Sequence, residues 1–323
     1  MVLEQTVRVP LSPEQAFAMV TDPDLLRRWQ AVTARVDARP GGAWRWTITP
    51  GHTAAGAVRE LETPRRLVLS FGWEGDDELP PGSSVVTWTV APDAGATTVS
   101  LAHEGLATEE QAAGHRTGWT HYLNRLVRAA EDGDAGPDPW AAAPDPMDDL
   151  SAAEAGLALC QSVLRQLDAS HAAKPTPCPS FTVEGLLDHL LTALALIGRA
   201  GGASMTSRSG TPEQRVADAG QRVLEAWRHQ APDGTVAFGR LELPAASATA
   251  ILDLELLVHT WDFARAAAVA LVVDDDLAGY VLERARAVVD ASLRDGTRFG
   301  PEVPLPDHAP ALDRLVAFTG RTP

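Results

Sequence analysis

The stretch Leu254-Glu255-Leu256-Leu257-Val258-His259-Thr260-Trp261-Asp262 sets a carboxylate and an imidazole four residues apart. On a helix, residues i and i+4 lie one above the other with Cβ atoms roughly 6 Å apart, so Glu255 and His259 can reach one point in space. Asp262 follows at i+3 from His259 and lies near that face. Upstream, the segment from Phe181 to Leu191 carries a single histidine, His189, on a second helical pattern. Two histidines and one carboxylate from two helices make a three-ligand set with an open position, the arrangement of a catalytic zinc ion. The same Glu/His spacing also occurs in solvated surface pairs. Here the neighbours Leu254, Leu257, Val258 and Trp261 are apolar, so a charge among them needs a partner. Asp262 reads either as an outer partner that orients His259 or as a carboxylate on the helix surface.

Two regions of different period must position these residues. Residues 1–132 alternate strand and helix. A strand at Glu4–Pro10 is followed by a short helix opened by Ser12-Pro13-Glu14 and another from Asp22-Pro23 to near Trp29. Strands are expected at Ala43–Thr49, Ala54–Glu62, Arg66–Trp73, Ser84–Ala91 and Thr97–Glu104, and a long helix at about Glu109–Glu131. A strand, two short helices, a run of antiparallel strands and a long final helix describe an α+β helix-grip domain. Six of the nine tryptophans fall here: Trp29, Trp44, Trp46, Trp73, Trp88 and Trp119. Trp44, Trp46, Trp73, Trp88 and Trp119, with His103 near the end of the last strand, could line an apolar ligand cavity. The alternative for each tryptophan is core packing, and for His103 a hydrogen-bonded structural role. No Ser-His-Asp arrangement or acid/base pair stands out in this half.

Residues 133–147 contain four prolines and several aspartates and read as a stiff polar linker, with Trp140 inside it. From residue 148 the period is helical. Ser151-Ala152-Ala153-Glu154 reads as a capping box for a helix to about Leu167, and Thr182 caps the His189 helix to about Arg199. Thr211-Pro212-Glu213 starts a third helix ending near Gln230, and Thr235–Leu243 is extended. Ser247 starts the Glu255/His259 helix, and Asp275 or Asp276 a fifth to about Asp290. The expected architecture is a four-helix bundle with an appended helix and tail over 148–323.

Composition bounds the partners. The 323 residues suffice for two cores, and 45% hydrophobic with 22% charged residues is ordinary for a globular protein. A formal charge of −16 leaves no basic stripe for nucleic acid. No run of 18 apolar residues and no leader-like N-terminus occur, so neither a membrane span nor a signal peptide is expected, and the location is expected to be cytoplasmic. Two cysteines make no disulfide framework: Cys160 reads as a core thiol and Cys178 as a packing residue between prolines.

Two resemblances add to this reading. The first half resembles domains similar to the activator of Hsp90 ATPase, within the START-like (SRPBCC) superfamily. It does so through Asp22-Pro23 to Trp29, Pro40-Gly41-Gly42-Ala43-Trp44, Thr63-Pro64-Arg65-Arg66-Leu67, Leu101-Ala102-His103-Glu104-Gly105 and Gly118-Trp119-Thr120-His121-Tyr122-Leu123. Those motifs mark a fold and no single chemistry. The second half resembles the actinobacterial metal-binding family related to mycothiol-dependent maleylpyruvate isomerase, in the DinB-like helical-bundle group. The matching pieces are Cys178-Pro179-Ser180-Phe181-Thr182-Val183, Leu186-Leu187-Asp188-His189, Glu255 through Ala266, Phe299 through Pro304 and Leu315 through Pro323. That resemblance implies a DinB-like four-helix bundle holding a divalent ion, zinc by type, on His189, Glu255 and His259. It further implies a low-molecular-weight thiol such as mycothiol as cofactor. One departure is that Ala266-Ala267-Ala268-Val269-Ala270 runs on without the glycine usual in the family, which leaves the helix end open.

Together these readings describe a metal-dependent, thiol-assisted isomerase or transferase acting on a small apolar or electrophilic molecule. The alternatives are a non-catalytic ligand-binding or stress-response protein with a structural metal, and cyclase-like catalysis in the N-terminal cavity. Homo-oligomerisation stays open.

Overall fold

The alternating apolar residues of the first half pair into one antiparallel sheet of seven strands. These are β1 (Val2–Val9), β2 (Thr33–Val36), β3 (Ala43–Thr49), β4 (His52–Glu62), β5 (Arg66–Phe71), β6 (Ser84–Asp93) and β7 (Ala96–Glu104). Their spatial order is β1-β7-β6-β5-β4-β3-β2. The computed structural model behind this description covers residues 1–231, 233–296, 298–306 and 308–323. Helices α1 (Pro13–Thr21) and α2 (Pro23–Leu26) lie in sequence between the two edge strands. Ser12 starts α1 with a reciprocal capping box to Gln15, and Asp22 caps α2. The long helix α3 (Glu109–Asp132) closes the unit, burying Trp119, Tyr122, Leu123, Leu126 and Ala129 in one core with the sheet. This is the helix-grip arrangement.

Strand β2 was not expected. It is only four residues long and earns its place by register, with Val36 opposite Trp44 and Ala34 opposite Trp46. So short an edge strand carries little periodicity of its own. The first part of the expected linker also belongs to this unit. Arg125 donates to the carbonyls of Gly136 (2.8 Å) and Pro137 (3.1 Å), and Ala135 is buried. One compact unit accordingly runs Met1–Asp138 and a second Pro139–Pro323.

The second unit is helical: α4 (Asp149–Leu164), α5 (Val183–Ala200), α6 (Pro212–Trp227), α7 (Ala245–Ala267), α8 (Asp275–Val288) and α9 (Ala311–Phe318), with a hairpin of β8 (Thr235–Phe238) and β9 (Leu241–Pro244). Two helix starts differ from the sequence reading, and one helix is additional to it. Helix α4 is capped by Asp148, whose carboxylate accepts from the Ser151 N–H while the Asp148 N–H donates to Ser151 Oγ. Ser151 is thus the third helical residue rather than the cap. Helix α7 begins at Ala245, before Ser247, because Pro244 presets the backbone and the Ala245 N–H already donates to Gly234 O at 2.8 Å. Helix α9 emerges from what the sequence offered only as a tail.

Helix α7 explains the site. It packs Ala248, Leu252, Leu256, Phe263 and Ala264 into a core shared with α4, α5 and α6. It packs Leu254, Leu257 and Val258 into a second core with α8 and α9. A helix enclosed on several sides must be apolar nearly all round, so its few charged residues are there for a reason beyond solvation. The helix ends with Ala268 in the left-handed region (φ 57°, ψ 36°), a conformation that glycine adopts at no steric cost.

Candidate metal centre

His189 projects from α5, and Glu255 and His259 from successive turns of α7. Their ligand atoms all lie within 4.8 Å of one another. Glu255 Oε2 is 3.3 Å from His189 Nε2 and 3.2 Å from His259 Nε2. It is shielded from solvent and makes no well-formed hydrogen bond. Atoms bound to one tetrahedral zinc ion at about 2.0–2.1 Å are about 3.3 Å apart, so the observed spacings suit a shared ion.

Proton bookkeeping leads the same way. His259 Nδ1 lies 2.9 Å from Asp262 Oδ2, and a carboxylate can only accept, so Nδ1 carries the hydrogen. A neutral His259 then turns its Nε2 lone pair toward the Glu255 carboxylate, two acceptors face to face. Some cation, a proton or a metal ion, must lie between them. Without a metal, burial pushes His259 down, but Glu255 and Asp262 outweigh it and raise the imidazole to about 9. Burial likewise opposes ionisation of Glu255, yet His259 and His189 together hold it below the ordinary carboxylate range.

The surroundings fix the ligands. Asp262 is fully buried and takes two bonds of 2.7 Å from Arg321, besides the one from His259. Burial pushes its carboxyl up, but those bonds prevail and hold it low. The Phe181 ring lies against His189 with centroids 5.0 Å apart, tilted by 30°. The His189 side chain is 36% exposed, against 18% for Glu255 and 9% for His259, so the triad is reachable from the His189 side. Burial pushes the half-buried Cys178 thiol up. Cys160 is fully enclosed, and burial pushes it up to about 12.

In the first unit the other candidates come together as one aromatic cluster. Trp44 and Trp46 share a face with centroids 4.4 Å apart, Trp88 and Trp119 meet edge-on at 5.7 Å, and half-buried Trp73 meets Phe71 at 5.5 Å. His103 is fully buried at its centre. Its Nδ1 accepts from Trp119 Nε1 at 3.1 Å, so Nε2 carries the proton and donates to Ser84 Oγ at 2.9 Å. Ser84 in turn donates to Phe71 O at 3.0 Å. Burial, then the neighbouring His115, push His103 down to about 3. His115, not singled out from sequence, is fixed similarly: Nδ1 donates to Gln111 O at 2.8 Å and Nε2 accepts from Trp73 at 3.2 Å. Both rings are neutral and fully engaged, which is structural chemistry rather than acid/base chemistry.

Sequence reasoning also missed Arg321. Nothing in spacing connects it with a residue 59 positions earlier. Its visible signal was Gly320 immediately before it, at the end of an apolar helical run.

Parts of the chain are similar to known proteins. Residues 10–131 match the family model of the Activator of Hsp90 ATPase homolog 1-like protein. An AHSA1-like protein from Rhizobium etli, solved by NMR, is 39% identical, covering 43% of this chain and 88% of that one, with a TM-score of 0.36. An HSP90 activator from Plasmodium falciparum is 20% identical over 39% of this chain and 93% of its own, with a TM-score of 0.33. An uncharacterized protein from Mycobacterium tuberculosis H37Rv is 31% identical over 183 residues, 54% of this chain and 99% of its own length. A match of that length extends beyond residues 10–131. No helix among the described residues is long and apolar enough to cross a membrane.

Proposed function

This chain belongs to the same family as that Mycobacterium tuberculosis protein and carries an AHSA1-like domain over residues 10–131, and from that premise we propose that it is a metal-dependent enzyme whose centre is His189, Glu255 and His259. The observation that carries the reading is the shielded Glu255 oxygen, flanked at 3.3 and 3.2 Å by two imidazole nitrogens with no other partner. Two imidazoles and one carboxylate leave a divalent ion, zinc by ligand type, a net positive charge. A bound ion of this kind supplies Lewis acidity that favours the anionic form of a thiol or polarises an electrophile.

The chain's own residues do the rest. Asp262 holds His259 in the tautomer whose Nε2 faces the centre, and Phe181 holds the His189 plane. The exposed side of His189 offers access to a small electrophile and a low-molecular-weight thiol such as mycothiol, and the reaction class is isomerisation or thiol transfer. A bundle of the DinB-like type, with its linker ending near residue 147, is the frame we assign to this site. In the first unit, the enclosed indole N–H groups of Trp46 and Trp88 leave donor capacity unused in an apolar interior. An apolar small-molecule ligand for this domain, with an acceptor for such an N–H group, is part of the same proposal. A purely structural metal would close its fourth position with another protein ligand, and among the described residues the group has three members.

The experiment is elemental analysis of tag-free protein, wild type beside Glu255→Ala and His259→Ala. Near-stoichiometric metal in the wild type, lost in both variants, supports the reading and opens thiol-dependent reactions to screening. A wild type that stays metal-free after reconstitution removes it.

A further inference from the structure

Resting on the metal reading above, we propose that Arg321 is a positioning residue for the centre, acting on His259 through Asp262. The local sequence builds this contact. Helix α9 ends in a Schellman motif: the Gly320 N–H donates to Ala317 O at 3.0 Å and the Arg321 N–H to Val316 O at 3.1 Å. Gly320 has φ +89°, and a Cβ there would lie 2.6 Å from Gly300 Cα, so only glycine fits. The turn fixes where the Arg321 side chain leaves the backbone. Thr319 Oγ1 then accepts from Arg321 Nη1 at 3.0 Å.

The guanidinium reaches Asp262 two-pronged, Nε to Oδ1 and Nη2 to Oδ2, both at 2.7 Å, with Arg321 93% buried by its 7% exposure and Asp262 wholly so. Such a fork fixes the carboxylate plane as well as its position. The same Oδ2 receives the His259 Nδ1 hydrogen at 2.9 Å. The orientation of His259 Nε2 is therefore set by a chain of three side chains, Arg321, Asp262 and His259, that starts in the turn after α9 and ends at Glu255. A metal-bound histidine gains basicity and a fixed ring from such a partner, and loss of the partner typically weakens metal binding about 10- to 100-fold. The exposed edge of the triad belongs to α5, whereas the α7 edge is locked from behind by this chain.

The test is a double-mutant cycle on the full chain, read by cobalt(II) affinity against a competing chelator and by the cobalt visible spectrum. The proteins are wild type, Arg321→Lys, Arg321→Met, Asp262→Asn and the Asp262→Asn/Arg321→Met pair. We expect Asp262→Asn to weaken cobalt binding about 10- to 100-fold and Arg321→Met about tenfold or more, with altered spectra. Arg321→Lys recovers part of the loss. In the Asp262→Asn background, Arg321→Met adds nothing, because its path to the metal has already been cut. If Arg321→Met alone fails to fold, the double variant against Asp262→Asn, and Arg321→Lys against wild type, still decide. A folded Arg321→Met protein with wild-type affinity and spectrum overturns the proposal, as does a loss of equal size in both backgrounds. A wild type that binds no cobalt overturns the metal reading itself and this proposal with it, a result distinct from either.

Discussion

His103→Gln separates a structural histidine from a reactive one in the first unit. The wild-type ring is fully buried, accepts at Nδ1 and donates at Nε2, and is pushed from 6.5 to about 3 by burial and then by His115. In the unfolded chain it titrates near 6.5, so below that pH the unfolded state takes up a proton that the folded state refuses. A depressed folded pKa gives stability that is intact above the unfolded value and lost as pH falls toward the folded one. The window is pH 6.5 down to about 3. At about 1.4 kcal/mol per pH unit, the loss between pH 7 and pH 5 is about 2 kcal/mol. Glutamine can both accept and donate but cannot titrate. Urea unfolding of the full chain at pH 7.0 and 5.0, followed by tryptophan fluorescence, gives the comparison. The wild type should lose about 2 kcal/mol more than His103→Gln over that interval. Equal losses in the two proteins refute the reasoning, and so does an NMR titration placing His103 near 6.5. Either result would return His103 to contention as a base in an N-terminal cavity and revive cyclase-like chemistry there.

Zinc in hundredfold excess over its dissociation constant should stabilise the wild type by about 2.7 kcal/mol, and the shift should vanish in His259→Ala; differential scanning calorimetry with and without chelator reads it. Ala268→Gly, which relieves an alanine held at φ 57°, should stabilise the helical unit by about 1 kcal/mol and raise its melting midpoint by about 2–4 °C, whereas a lower midpoint would mean the α7 terminus is wrongly described. In a thiol-reagent titration of native protein at pH 8, Cys160 should stay silent until denaturant is added, because it is enclosed and pushed up to about 12. Prompt labelling of Cys160 would contradict the packing around α4.

By itself the sequence determined the period of each half, and with it the division into a sheet-bearing and a helical region. Strands β3 and β7, helices α3, α5 and α6 and the juxtaposition of Glu255 with His259 were legible because each rests on local information: alternation, a capping residue, or an i,i+4 spacing within one helix, whereas the approach of His189 from α5 belongs to the packing. The helix starts at Ser151 and Ser247 misled for the same reason, since a residue good at capping stood near the start but Asp148 or Pro244 stood nearer. Tertiary structure decided the rest. Whether Asp262 faced solvent or His259 depended on Arg321, which the turn after α9 brings to it. The role of Arg321 depended on a glycine turn packed against Gly300. Strand β2 exists only as the partner of β3, and His103 is neutral only because Trp119 and Ser84 enclose it. Such facts join residues far apart in the chain. Burial and hydrogen-bond partners follow from packing, and no spacing rule along one segment contains them.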